Sequence, residues 1–209
     1  SGVFNTENSD HTWTVSEGKI EFPKKKKWQH YVDSRRLEIT CGEAPYLVSR
    51  YDVSTGELIV PPIRRIGMLD RKLRIVNENT EGYDEWLKWT LRAFEACYGY
   101  EYQGDNVLIA RINLLLTFTE YYEERWERQP DGKLLEELAN KIAWNIWQMD
   151  GLKDTVPLGK PYEEFPQITL FDMFGDMGGE KEDEPEAVPC RIFDWRSKNS
   201  ILFKKLKEM

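Results

Sequence analysis

With 209 residues, 40% of them apolar and 32% charged, the chain has a globular balance and the length for one sizeable core, and one domain with appendages is expected rather than two equal domains. A formal charge of −8 excludes a chain that coats nucleic acid unaided, because neutralisation of phosphates by Lys and Arg supplies most non-specific affinity; any contact with DNA has to be local. Three widely spaced cysteines, Cys41, Cys97 and Cys190, suit neither a disulfide framework nor a zinc knuckle, and neither a membrane-length apolar run nor a signal-peptide core is present, so a cytoplasmic protein with no membrane partner is expected.

Residues 1–27 read as a loosely attached arm, rich in Asn, Ser, Thr and Asp up to Ser16. The alternating Lys19-Ile20-Glu21-Phe22 is expected as an edge strand, and a lysine run, 24–27, follows. Leu37-Glu38-Ile39-Thr40 is β-prone and breaks at Cys41-Gly42-Glu43-Ala44-Pro45, which predicts a strand and a sharp loop. Ser-Thr-Gly and Pro-Pro punctuate 53–62, and 66–76 resumes as a helix or a strand rich in Arg and Lys. Trp86, Trp89, Leu91, Phe94 and Cys97 mark an amphipathic helix over 83–97, stopped by Gly99, whose aromatic stripe reads as core and not as a ligand box.

Tyr100-Glu101-Tyr102-Gln103 is the second strand expected in this part of the chain, and Gly104-Asp105-Asn106 supplies a turn and an N-cap for a long helix from near Val107 to Trp126. Pro130-Asp131-Gly132 then turns the chain into a helix over 134–144, and Asn145-Ile146-Trp147-Gln148-Met149-Asp150 is the third strand, ending at Gly151. Strand, helix, strand, helix, strand is the rhythm of an α/β protein with a parallel sheet. Past Pro157 the order weakens: 172–186, dominated by Gly, Asp, Glu and Lys, reads as a mobile acidic loop, and the apolar pieces around Phe193 and Leu202 are expected to return to the core.

Ligands of parallel sheets collect at the carboxyl ends of the strands, which selects Cys41-Gly42-Glu43, Glu101 and Asp150. A glycine after the first strand lets a ligand approach the backbone, an acid after the second accepts from a ribose diol, and an acid after the third accepts from an adenine amino group. Each has a plainer alternative: a tight turn after a core strand for Cys41 and Gly42, a helix-capping acid for Glu101, and an Asp-Gly turn for Asp150.

From Tyr98 the chain reads Tyr-Gly-Tyr-Glu-Tyr-Gln-Gly-Asp-Asn, followed by Leu108, Ala110-Arg111 and Asn113-Leu114-Leu115. This stretch resembles the strand, acid and helix of N6-adenine DNA methyltransferases of restriction-modification systems, the restriction endonuclease subunit M type. Residues 37–47 are similar to that family's cofactor loop, and Asn145-Ile146 with Met149-Asp150-Gly151-Leu152 to its adenine-side motif. The resemblance covers most of 28–158. It implies a Rossmann-like S-adenosylmethionine-dependent methyltransferase fold with an inserted segment around 53–81 and irregular termini, 1–27 and 159–209. It also implies S-adenosylmethionine bound by Cys41, Gly42, Glu43, Glu101 and Asp150, with DNA and a restriction or specificity subunit as partners. The activity implied is direct methyl transfer from a sulfonium to adenine N6.

The sequence departs from that pattern at three places. Glu43-Ala44 stands where a second glycine is common, Gly42 and Glu101 are 59 positions apart, and no Asn-Pro-Pro-Tyr or Asp-Pro-Pro-Tyr occurs. In the family that last motif orients the flipped adenine, so no catalytic residue is assigned, and a non-catalytic module of the same fold that contacts DNA or a partner protein is the alternative. Asp10 with Glu17-Gly18-Lys19 imitates a degenerate nuclease pattern, and the lysine run with Arg35 and Arg36 reads as a solvated face. His11 and His30, the only histidines, have no metal-ligand spacing, so no metal is expected.

Overall fold

A computed structural model describes residues 4–11, 13–16, 18–23, 27–157 and 188–207, which fall into two compact units, Ser1–Trp147 and Gln148–Met209. The expected acidic loop 172–186, Glu17 and Lys24 to Lys26 lie outside the described residues. The architecture is mixed α/β, with a parallel three-stranded sheet and six helices among the described residues.

The first unit opens with a hairpin of β1 (Asn5–Glu7) and β2 (Trp13–Val15) in antiparallel register, where a loose arm is expected. Phe4 is buried and its ring sits 5.4 Å from that of Tyr31, and Arg74 donates to the carbonyls of Ser16 and Gly18, so apolar and polar anchors both fasten this segment. Residues 19–22 are not a strand. Ile20 is buried, but its N–H is taken by the Glu78 carboxylate at 2.8 Å, and a side-chain acceptor replaces a ladder partner.

Helix α1 (Trp28–Asp33) leads into β3 (Arg36–Glu38). A 3-10 turn (Pro62–Arg64), α2 (Met68–Asn79) and α3 (Tyr83–Glu95) then carry the chain to β4 (Cys97–Glu101). The stretch 66–76, open between helix and strand in the sequence, is helical from Met68 on, and Leu69, Leu73, Ile75 and Val76 bury its inner face. The segment expected as an insertion therefore contributes to the main core. Helices α4 (Gly104–Trp126) and α5 (Gly132–Asn145) form the next crossover, and β5 (Ile146–Gln148) completes the sheet in the order β3-β4-β5. The expected Pro-Asp-Gly turn precedes α5, and its Asp131 also caps the helix by accepting from Leu134 N at 2.9 Å.

Every residue of β4 is buried, because α3, α4 and α5 all pack against it. Gly99 is closely packed at its centre: an added Cβ would come to 3.2 Å from the Cys41 side chain and from Ile146 Cδ1. Between α3 and α4 lies an aromatic core of Trp86, Phe118, Tyr122 and Trp126, with Trp86 tied by its Nε1–H to Asn77 Oδ1. The aromatic stripe of 83–97 is therefore core, as its spacing suggests. Below the sheet, the buried Lys72 ammonium donates to Ser34 O at 2.6 Å and Ala96 O at 3.2 Å, the carbonyls that end α1 and α3.

A second polar cluster binds the 50–65 segment to α4. Arg50 makes two hydrogen bonds to the Glu120 carboxylate, at 3.0 and 2.8 Å, and Arg65 makes a third. Tyr121 reinforces the junction by donating to Pro62 O at 2.9 Å.

The second unit pairs β6 (Arg191–Asp194) with β7 (Asn199–Leu202) in an antiparallel hairpin, followed by α6 (Lys204–Lys207). Cys190 N donates to Asp154 O and Val156 N to Val188 O, so the hairpin segment is stitched to the turn after β5. No helix among the described residues is long and apolar enough to cross a membrane.

Candidate functional site

The register Arg36↔Cys97, Leu37↔Tyr98, Glu38↔Gly99 sets the carboxyl ends of β3 and β4 side by side, and the loops that leave them face each other. The ladder ends at Glu38, two residues short of the expected Thr40, because Thr40 turns to a left-handed φ of 46°. Cys41 then returns its N–H to Tyr100 O at 2.8 Å. Gly42 (φ 52°) and Ala44 (φ 63°) are left-handed as well, so three residues of five occupy a region that side chains other than glycine disfavour. Such strain persists only where the surroundings over-determine the backbone, and it concentrates at binding sites.

Three polar side chains hold this loop. Glu101, at the end of β4, accepts from Gly42 N at 2.8 Å on one oxygen, and from Tyr102 N at 2.9 Å and Gln103 N at 3.2 Å on the other. Glu38, at the end of β3, accepts from Leu47 N at 2.9 Å and Tyr46 N at 3.3 Å. Asn113 on α4 donates to Glu43 O at 3.0 Å. Burial raises the Glu38 carboxyl to about 7 against the pull of its two N–H donors. Burial, with the Glu38 and Glu101 carboxylates nearby, pushes the Cys41 thiol up to about 12, a thiol and not a thiolate at neutral pH.

Of the residues singled out by sequence, Cys41, Gly42, Glu43 and Glu101 therefore meet at one end of the sheet. Glu43 contributes its carbonyl to Asn113, and its side chain is exposed. Glu101 thus takes the two backbone amides that precede α4 and ties down the glycine loop of the neighbouring strand. Asp150 belongs to the second unit, where its Oδ1 accepts from Leu152 N at 3.0 Å and Lys153 N at 3.2 Å, the Asx turn of its plainer reading.

Sequence reasoning passed over Glu38 and Asn113. The signal for Glu38 was an acid inside an otherwise β-prone run; for Asn113 it was an amide on the inner face of an apolar helix. An added Cβ on Gly42 meets nothing within 4 Å, so its backbone has open space beside it. Tyr46 is 75% exposed on the same loop. Among the described residues no group of three or more His, Cys, Asp or Glu could hold a metal ion, and Asp10 and Lys19 of the nuclease-like pattern are exposed. No family model, curated protein or solved structure matches the chain.

Proposed function

We propose that the chain is a DNA adenine N6-methyltransferase-like subunit of a restriction-modification system, with a Rossmann-like core that binds S-adenosylmethionine at the carboxyl end of the β3-β4 pair. The observation that carries this reading is the hydrogen bond from Gly42 N to Glu101. It joins the loops of two adjacent parallel strands across 59 residues, at the edge where such sheets take ligands.

The residues fit the cofactor in part. Open space beside Gly42 admits a ligand to the backbone. A carboxylate offers about four lone-pair positions, and three on Glu101 are in use, which leaves one for a ribose hydroxyl. Gripping both hydroxyls would require Gly42 N–H to yield its place. S-adenosylmethionine, when bound, supplies an electrophilic methyl on a sulfonium. Glu101 and Gly42 bind in this reading, and Glu38 and Asn113 orient the loop. The acceptor amine is left to other residues or to a partner chain.

A second reading, a non-catalytic module that contacts DNA or a partner protein, is favoured by the missing Asn-Pro-Pro-Tyr. Calorimetric titration with S-adenosylhomocysteine separates the two. Binding by the native chain, weakened roughly tenfold or more in Glu101→Ala and less in Glu101→Gln, supports the first, because the amide keeps one acceptor oxygen. No binding by the native chain removes the cofactor from the proposal.

A further inference from the structure

A cavity lies where the segment leaving the β1-β2 hairpin meets the 3-10 turn and α2, within the Ser1–Trp147 unit. It measures about 460 Å³, inside the range of small-molecule pockets, and is lined by Val15, Ser16, Gly18, Ile63, Arg64 and Arg74. The Arg74 side chain is only 3% exposed, and a guanidinium so far from water has to be held by acceptors. Its Nε donates to Glu78 Oε1 at 2.7 Å, and one terminal nitrogen donates to Ser16 O and Gly18 O, both at 2.8 Å. The other terminal nitrogen has no acceptor among the described residues.

The acceptors around Arg74 are already engaged. Arg74 takes both carbonyls, and the second oxygen of Glu78 receives Ile20 N at 2.8 Å. Glu78 balances the charge of Arg74, so the positive charge left over in the lining belongs to Arg64. Arg64 is exposed, and its side chain makes no hydrogen bond or ion pair among the described residues. The Ser16 hydroxyl, 3.3 Å from Thr6 Oγ1, can accept there and donate into the cavity. Donors and positive charge thus converge without a matching acceptor, which is the chemistry of an anion site.

We propose that this cavity binds a small phosphate monoester. Arg64 and the spare nitrogen of Arg74 grip the phosphate, and the organic part lies against Val15 and Ile63. A phosphate monoester presents three free oxygens to two guanidinium groups and a hydroxyl, whereas a carboxylate presents two. A DNA backbone fits less well, because it calls for a row of basic side chains along an open surface, and here two arginines line a cavity in a chain of net charge −8. The site is separate from the β3-β4 loops, and the inference stands independently of S-adenosylmethionine binding.

Titration of the isotope-labelled full chain with inorganic phosphate, followed by NMR, tests the site. The amides of Ser16 and Gly18 and the side-chain signals of Arg64 and Arg74 should move together and saturate, with a dissociation constant on the order of 1 mM. Butyl phosphate should bind roughly tenfold tighter, because its chain covers Val15 and Ile63. Arg64→Ala, at an exposed position, should weaken butyl phosphate roughly tenfold or more with the melting temperature unchanged. Arg64→Lys should recover only part of the loss, since lysine lacks the planar fork. Lys133→Ala, exposed and outside the cavity, should bind like the native chain. Inorganic phosphate or sulfate that matches butyl phosphate identifies an adventitious ion only and overturns the proposal. Shifts that do not saturate or that centre elsewhere overturn it too, as does an Arg64→Ala variant no weaker than Lys133→Ala. A short DNA duplex that displaces butyl phosphate would make the phosphodiester backbone the occupant and overturn it equally.

Discussion

Replacing Glu120 by Ala removes the one carboxylate that two buried guanidinium groups share. Arg65 is fully buried and the Arg50 side chain is 5% exposed, whereas Glu120 retains 26%. The variant deletes three charge-assisted hydrogen bonds and leaves two cations away from water. Breaking a buried pair by removing one partner costs about 3–5 kcal/mol, whereas an exposed pair is worth about 0–1 kcal/mol. The burial of both arginines places this cluster in the first class. For a chain of this size the loss corresponds to a fall of roughly 10 °C in melting temperature. Glu120→Gln keeps one acceptor and should lose about half as much.

Urea denaturation followed by tryptophan fluorescence is a suitable assay, since every tryptophan except Trp195 lies in the Ser1–Trp147 unit. The triple variant Arg50→Met, Arg65→Met, Glu120→Leu removes the whole network and should recover to within about 2 kcal/mol of the native chain, because no charge is left stranded. A cost below about 1 kcal/mol for Glu120→Ala would refute the reasoning, and so would a triple variant less stable than the single one.

Burial raises the Asp70 carboxyl to about 7, so the folded chain holds a proton that the unfolded chain releases near pH 4; stability should therefore fall as pH rises from about 4 to about 7 and level off above. Asp70→Asn should reduce that slope in denaturation curves taken across the range, leaving the share that Glu38, raised to the same value, contributes, since the amide can still accept from Ser49 N. Gly67→Ala should cost about 3 kcal/mol or more, because its Cβ would collide with the Leu47 carbonyl and with Asp70 Oδ2, whereas Gly99→Ala, meeting only side-chain atoms at 3.2 Å, should cost about 1 kcal/mol. Equilibrium unfolding of the two variants side by side checks the order as well as the size. Trp86→Ala should lose about 3–5 kcal/mol in the same measurement, from the cavity it opens among Phe118, Tyr122 and Trp126.

The helices were the legible part of this sequence. Trp86 to Phe94 declares itself by period, and the two helices after it by the Gly-Asp-Asn and Pro-Asp-Gly turns that precede them, because those signals are local. The strands were harder to place. Cys97 to Glu101 is β4 although Cys97 continues the apolar spacing of α3, since a strand buried on both faces has no alternation to read. The β1-β2 hairpin lay in a polar stretch, where pairing with a neighbour and the burial of Phe4 outweigh composition. Within the site, Gly42 and Glu101 were legible as glycine and acid at strand ends. Glu38 and Asn113 were not, because what they do depends on the fold of a loop several residues away in one case and 70 in the other.

Lys72 has a consequence for the far end of the sheet. Its ammonium holds Ser34 O and Ala96 O, and the same Ala96 carbonyl receives Arg36 N, so a single side chain fixes where β3 and β4 begin relative to each other. Strands are stiff in length, about 3.3 Å per residue, and an offset at their start travels undiminished to their finish. A slip of one residue at Arg36 would carry Gly42 out of reach of Glu101 and turn Glu38 to the opposite face of the sheet. The alignment of the glycine loop with Glu101 is thus zeroed roughly 15 Å away, by a lysine at the opposite end of the strands.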